Sequence, residues 1–295
     1  MRVPPGESSK TLATISGLYD KLADARIERR DLILTFGGGV IGDLGGFVAA
    51  TWLRGIRFVQ VPTTLEAAVD ASVGGKTGVN HPAGKNLIGA FHQPSAVIIA
   101  TELLETLPQR DFAAGLAESV KHAAIRDPAF LDWHEQNVAA IERRDPNTII
   151  ELIARNCAIK ADVVARDEHE QGLRAILNYG HTIGHAVEHL LDYELRHGEC
   201  VALGIIAENE LARARGLLDR SVADRIRSLL ARFGLPTRLP RPLPAEQVIE
   251  VTRLDKKVTA GAVNFVLLPE LGRPERVADV SDAEIAAALE AIQPK

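Results

Sequence analysis

Only two cysteines, Cys157 and Cys200, occur in 295 residues. They are too few for a disulfide framework and do not form a C-x-x-C pair, so the expectation is two reduced thiols in the cytoplasm. No apolar run approaches the ~20 residues that a membrane helix needs. The opening Met1-Arg2-Val3-Pro4-Pro5-Gly6 also lacks the apolar core of a signal peptide. Positive charge is not in excess: the formal net charge is -5, which argues against general binding to nucleic acid or to an anionic membrane. A small anionic substrate in a locally basic pocket remains compatible with that balance. Gly-x-Ser-x-Gly is missing and no cysteine has a suitable histidine beside it, so nucleophilic hydrolase chemistry has no support.

What the chain does have is ordinary globular material, 46% hydrophobic and 25% charged, at a length that suits two domains. The first third alternates helix and strand patterns. Residues 11–25 carry Leu12, Ile15, Leu18, Tyr19 and Leu22 at helical spacing. Leu32-Ile33-Leu34-Thr35-Phe36 reads as a buried parallel strand running into glycines. A helix over 43–52 and strands at 58–61 and 96–99 complete an α/β pattern. Beyond Pro108 helical periodicity dominates, over 112–125, 148–165, 174–190 and 201–215, with shorter helices at 222–233 and 245–254 and a small strand or hairpin at 263–268. The expected domains are therefore 1–108, α/β, and 109–295, helical.

Three constellations carry chemistry. Gly37-Gly38-Gly39-Val40-Ile41-Gly42 fits G-x-G-x-x-G between a strand and a helix, the setting in which backbone amides hold a pyrophosphate. A tight glycine turn packed against the sheet explains it equally well, and the acidic ribose partner expected about 20 residues on is missing. The run from Asp70 to Asn86 is dense in glycine and amides and contains Lys76 and Lys85. It suits a phosphate or polyhydroxyl ligand, or forms a solvated loop; as a P-loop it fails, because its first glycine is missing. His181, His185 and His189 recur at i, i+4 and i+8, and His197 follows. Four histidines this close suggest a zinc-like site, although spacing does not say which are ligands. Glu118 could add a carboxylate.

Together these segments resemble the 3-dehydroquinate synthase family. The matching stretches are 5–10, 37–43, Arg54-Gly55, Pro62-Thr63-Thr64, 70–86, 115–121, 160–170, 172–188, His197-Gly198-Glu199 and Asp255-Lys256-Lys257. They occur in the family's order and at its spacing over nearly the whole chain. The resemblance implies a Rossmann-like α/β domain that binds NAD, an all-α C-terminal domain, and an active site between them. It implies a divalent metal, Zn2+ or Co2+, on Glu118, His181 and His197, with His185 near the substrate phosphate. NAD contacts would fall on Glu7, Lys10, Gly39, Val40, Ile41, Gly42, Asp43, Thr63, Thr64, Lys76, Lys85 and Thr106. Substrate contacts would come from Asp70, Lys76, Lys85, Asn86, Lys121, Lys160, Arg174, Asn178 and Lys256 or Lys257. Arg54 would reach the neighbouring site in a homodimer.

The implied reaction acts on a seven-carbon keto acid phosphate. NAD removes and later returns a hydride, phosphate leaves, and the ring opens and recloses as a carbocycle. In the family, strands and helices precede the point at which this sequence starts, roughly 60 residues or about two βα units at ~30 each. The expectation is an incomplete sheet with one exposed edge. Glu66 and Ala68 also replace the family's usual residues. Alternatives are a sister cyclase of the 2-deoxy-scyllo-inosose or valiolone type, an inactive metal-binding relative, and an alcohol dehydrogenase of the glycerol dehydrogenase type. The last does not explain Lys76, Lys85, Lys121 and Lys160.

Overall fold

The computed structural model describes residues 1–192, 194–256 and 263–295, apart from the side chains of 254–256. The chain divides into two compact units, Met1–Leu107 and Pro108–Lys295.

In the first unit, helix α1 (Leu12–Asp24) begins at Thr11, whose hydroxyl accepts from the Thr14 amide. Strand β1 (Leu32–Gly37) leads into α2 (Gly39–Thr51), and β2 (Arg57–Pro62) pairs parallel with β1 from Leu32 opposite Arg57 to Gly37 opposite Pro62. An antiparallel hairpin, β3 (Lys76–His81) and β4 (Gly84–Phe91), precedes β5 (Ala96–Val97), which pairs with β2. The parallel sheet has the order β1-β2-β5, which leaves β1 at an edge. Ile15, Leu22, Leu44, Phe47, Val48 and Val79 join α1, α2 and β3 in one core.

Three sequence expectations change here. Helix α2 starts at Gly39 rather than residue 43, because its glycine-rich face lies close against the sheet and packing outweighs poor helix propensity. Strand β1 is not buried on both faces: Leu32, Leu34 and Phe36 are 46%, 56% and 59% exposed, whereas Thr35 on the other face is 5% exposed. Alternation across a strand turns one face toward α2, and the second face has no cover among the described residues. The 70–86 run is not a loop. It holds a π-helical turn (Ala67–Ala71) and then the hairpin, in which Thr77 and Val79 are buried.

The second unit is largely helical: α3 (Gln109–Arg126), α4 (Pro128–Glu142), α5 (Pro146–Arg166), α6 (His181–Leu190), α7 (His197–Ala214), α8 (Arg220–Arg232), α9 (Ala245–Lys256) and α10 (Asp282–Glu290). The small strand or hairpin expected at 263–268 is a hairpin, β6 (Phe265–Glu270) with β7 (Arg273–Val277), so the unit is not the all-α domain that the family resemblance implied. Helices α4 and α10 were not expected, yet both are well capped. Asp127 accepts from the Phe130 amide ahead of Pro128, and Ser281 forms a capping box with Glu284. The helix expected over 174–190 is broken. Leu173–Asn178 is a 3-10 turn, and Gly180 at φ +79 reverses the chain before α6 begins.

Helix α7 runs through the middle of this unit, with Val201, Ala202, Leu203, Ile205 and Ala207 fully buried. Its neighbours approach to backbone contact. A Cβ on Gly198 would lie 1.9 Å from the Ala114 carbonyl oxygen in α3, and one on Gly204 would lie 1.8 Å from the Gly180 carbonyl oxygen.

Behind α3, a buried chain of polar groups ties three helices together. The Leu152 carbonyl can only accept, so the atom facing it at 2.8 Å is Asn156 Nδ2, which also donates to Ser119 Oγ at 2.7 Å. Asn156 Oδ1 then accepts from His122 Nδ1 at 2.9 Å. Ser119 Oγ donates to His134 Nε2 at 2.7 Å, and His134 Nδ1 donates to the Phe130 carbonyl at 2.6 Å. Burial pushes the His134 imidazole down to about 4, against a smaller upward pull from the Phe130 carbonyl.

Two outcomes follow. Gly198→Ala inserts a methyl group where carbonyl oxygen already sits, and lowers stability to urea by at least about 1–3 kcal/mol. His134 stays neutral when folded but takes up a proton when unfolded below its ordinary value of 6.5. Its contribution is therefore lost as pH falls from 6.5 toward 4, by up to about 3 kcal/mol over that window. The difference in unfolding free energy between wild type and His134→Gln, followed from pH 7.5 to 4, should show this slope; a flat difference refutes it.

Candidate active site

The expected site residues fall into two sets, one on each unit. In the first unit, the chain leaves β1 at Gly37, turns at Gly38, and enters α2 with Gly39, Val40, Ile41 and Gly42 in its first turns. The first amides of a helix have no acceptor within it, and this helix starts at the carboxyl end of a parallel strand, so the turn presents donors where anions bind in such sheets. Thr63 and Thr64 follow β2 immediately. The Thr63 amide donates to the Gly37 carbonyl at 2.9 Å, and Thr64 Oγ1 accepts from the Ala67 amide at 3.2 Å.

Lys10 organises the neighbouring polar groups. It is 4% exposed, and its Nζ donates to Asp43 Oδ2 and to Asn86 Oδ1, each at 2.5 Å. Asn80 Nδ2 donates to Glu7 Oε1 at 2.7 Å, and Asn80 Oδ1 accepts from the Asn86 amide at 2.9 Å. Glu7, Lys10, Asp43 and Asn86 are thus one network, closed by Asn80, which the sequence reading did not single out as a contact. Asn86 holds a left-handed φ of 54, an uncommon conformation for a residue other than glycine. Lys76 is exposed at the start of β3, Lys85 is half-buried in β4, and Asp70 is half-buried in the π-helical turn. Thr106 donates locally to the Leu103 carbonyl, and among the described residues no hydrogen bond ties it to the glycine turn. Arg54 is exposed, with φ 68. Glu66 is half-buried and Ala68 fully buried.

The second unit gathers its set from α3, α6 and α7. Glu118 Oε1 lies 3.5 Å from His181 Nε2 and 3.5 Å from His197 Nε2. His181 Nδ1 donates to the Tyr179 carbonyl at 3.1 Å, which leaves the Nε2 lone pair of the neutral ring facing Glu118. His197 has a carboxylate at each ring nitrogen, Glu188 Oε2 at Nδ1 and Glu118 Oε1 at Nε2, both at 3.5 Å. Ligand atoms of His181, His185 and His197 lie within 4.8 Å of one another. His189 does not share that stripe and is exposed; at 3.6 residues per turn, i+8 stands about 80° round from i.

Charge states suit a divalent cation. Burial alone would raise the fully buried Glu118 carboxyl. The adjacent Lys121 ammonium, with which it forms an ion pair, and His181 and His197 outweigh this and hold it well below the usual carboxylate range. Burial, then Lys121, lowers His181 to about 4 against the opposing pull of Glu118. An ionised carboxylate and a neutral imidazole are the forms in which these groups bind metal, so the donor set fits one.

Further charge is buried in the same unit. Lys160 is 6% exposed and Arg174 is 1% exposed, its Nη1 donating to the Glu168 carbonyl at 2.5 Å. Asn178 Nδ2 donates to Glu170 Oε1 at 2.9 Å. Glu208 of α7, fully buried, accepts from the amides of Gly180, Thr182 and Ile183 at 2.7, 3.1 and 3.3 Å, and so caps the helix that starts at His181. No local signal marks Glu208, which lies a full helix away in sequence. The expected contacts of Lys256 and Lys257 lie outside the described side chains and residues.

A glycine turn at the ends of parallel strands in one unit, and a carboxylate–histidine cluster among helices in the other, define the class of the sugar-phosphate cyclases. Solved structures bear this out. A 2-epi-5-epi-valiolone synthase from Streptomyces hygroscopicus, with NAD+ and Zn2+ bound, matches with a TM-score of 0.92 at 29% identity, covering 98% of this chain and 81% of that one. A 2-deoxy-scyllo-inosose synthase complexed with carbaglucose-6-phosphate, NAD+ and Co2+ matches at 0.91 and 28%, covering 99% and 82%. A probable glycerol dehydrogenase from Sinorhizobium meliloti shares the fold, with a TM-score of 0.66 at 18% identity.

Residues 1–114 match the N-terminal and 115–258 the C-terminal family pattern of 3-dehydroquinate synthase, and the chain belongs to that family. The 3-dehydroquinate synthase of Synechococcus sp. is 50% identical over 99% of this chain and 80% of its own length. That of Nitrosospira multiformis is 48% identical over 95% and 77%.

Proposed function

We infer that this protein is a 3-dehydroquinate synthase, a lyase that converts 3-deoxy-arabino-heptulosonate 7-phosphate to 3-dehydroquinate and phosphate in aromatic amino-acid biosynthesis. The observation that carries the reading is 50% identity to a curated synthase along 99% of the chain, joined to a Glu118–His181–His197 cluster in which both imidazoles lie 3.5 Å from the buried carboxylate. The sister cyclases are less similar, at 29% and 28%. They are also a weaker chemical fit, because Arg174 offers a buried fork that suits the carboxylate of a keto acid.

Glu118, His181 and His197 would hold the divalent metal, Zn2+ or Co2+, and the α2 turn with Glu7, Lys10, Asp43, Thr63 and Thr64 would hold NAD. When bound, the metal polarises a substrate oxygen and NAD reversibly accepts a hydride. The remaining work belongs to side chains. Lys121 and Lys160, 1% and 6% exposed, present positive charge out of water, where attraction to an anionic substrate is stronger than in solvent. The Glu168 carbonyl fixes Arg174 on one side and so orients its fork. Glu170 fixes the Asn178 amide in the same way. His185 stands beside the two imidazole ligands, with ring centroids 5.2 and 5.6 Å away, and suits a phosphate contact or a proton carrier. Lys76, Lys85, Asp70 and Asn86 would serve the substrate from the first unit. We further propose a cytoplasmic homodimer in which Arg54 serves the neighbouring site. Its exposure supports this.

Glu118→Ala, His181→Ala and His197→Ala are each expected to purify without metal, whereas His185→Ala retains it. Elemental analysis reads this directly, and full retention in any of the first three refutes the ligand set. With NAD and zinc, the purified chain should release phosphate from 3-deoxy-arabino-heptulosonate 7-phosphate and not from glucose 6-phosphate. Release from the second substrate alone would move the reading to a sister cyclase, and silence on both would favour an inactive relative.

A further inference from the structure

Helix α6 presents more than its two histidines to the cluster. On a helix, positions i, i+4 and i+7 form one stripe, and here they are His181, His185 and Glu188. Glu188 is 5% exposed, and its Oε2 lies 3.5 Å from Nδ1 of His197, the first residue of α7. The two candidate imidazole ligands are therefore held differently from behind. His181 Nδ1 meets a neutral carbonyl, that of Tyr179, while His197 Nδ1 meets a carboxylate.

We propose that Glu188 is a positioning residue for the metal, acting through His197; this rests on the ligand set proposed above. A neutral imidazole carries its proton on either nitrogen, and only the tautomer with the proton on Nδ1 offers a lone pair at Nε2. Glu188 behind Nδ1 pulls toward that tautomer against Glu118 on the Nε2 side, each at 3.5 Å, fixes the ring plane, and makes Nε2 a stronger donor to a metal. The need is greatest at His197, whose side chain is 27% exposed against 12% for His181 and which opens its helix. Burial packs the His181 ring in place, whereas His197 depends on a directed contact. Glu188 touches neither substrate nor cofactor in this role. Its negative charge also lies near the amino end of α7, where the helix dipole favours it.

The test is zinc affinity of the purified chain by competition with a chromogenic chelator, together with the 15N pattern of His197 in the metal-free protein. Glu188→Ala should weaken zinc binding about 10- to 100-fold. It should also move the His197 proton partly from Nδ1 to Nε2. Glu188→Gln keeps the shape and can still accept from Nδ1, and should fall between Glu188→Ala and wild type. His189→Ala, an exposed change on the same helix, should leave affinity and tautomer unaltered. A fall in thermal stability with unchanged affinity and unchanged tautomer would make Glu188 merely structural and overturn the proposal. Wild type that binds no zinc would instead overturn the ligand set itself, and this inference with it.

Discussion

Helix α7 meets α3 and α6 with no side chain between the backbones. Gly198 rests on the Ala114 carbonyl, and Gly204 rests on the Gly180 carbonyl, at spacings a single methyl group would violate. Each contact lies within one turn of a group in the cluster. His197 directly precedes Gly198, Glu118 follows Ala114 by four residues, and His181 directly follows Gly180. Bringing the backbones together therefore brings the donor atoms together. The imidazoles are carried on closely packed helices rather than on loops, as a site with strict geometry requires. The clamp of Arg110 on Glu199, at 2.7 Å to both carboxylate oxygens, ties the starts of α3 and α7 from the outside.

Such close packing imposes an electrostatic problem, because it buries Glu118, Lys121, Lys160, Arg174 and Glu208. Each charge taken out of water is costly unless it is paired or ligated. Glu118 and Lys121 offset one another, and Glu208 is met by three amides at the positive end of α6. In a structural core these charges would be a liability. In the function proposed above, Glu118, Lys121, Lys160 and Arg174 would instead be the working parts, held in place before substrate or metal arrives.

The first unit solves a milder version of the same problem. Lys10, nearly buried, is met by Asp43 from α2 and Asn86 from the β3–β4 hairpin, so one ammonium joins three elements at the mouth of the glycine turn. The glycine turn with its polar network and the carboxylate–histidine cluster stand on separate folding units. Relatives of the valiolone and inosose type share this frame at TM-scores of 0.92 and 0.91. A shared frame with different substrates leaves substrate choice to individual side chains rather than to the fold.

The sequence by itself determined a good deal. Helical periodicity placed α1, α3, α5, α7 and α8, and apolar runs placed β1 and β2, because those patterns report local geometry directly. Ordered motifs determined the family and named Glu118, His181 and His197. Periodicity could not separate 174–178 from α6, since one left-handed glycine, Gly180, interrupts an otherwise continuous pattern. It also missed the hairpin in 76–91, where glycines and lysines mask the alternation of buried Thr77 and Val79. Only the tertiary structure decided that His189 faces away, that Glu188 stands behind His197, and that Glu208 caps α6 from another helix. Those facts depend on how helices are rotated and pressed against one another, and side chains far apart in sequence become partners only once packing has fixed that rotation.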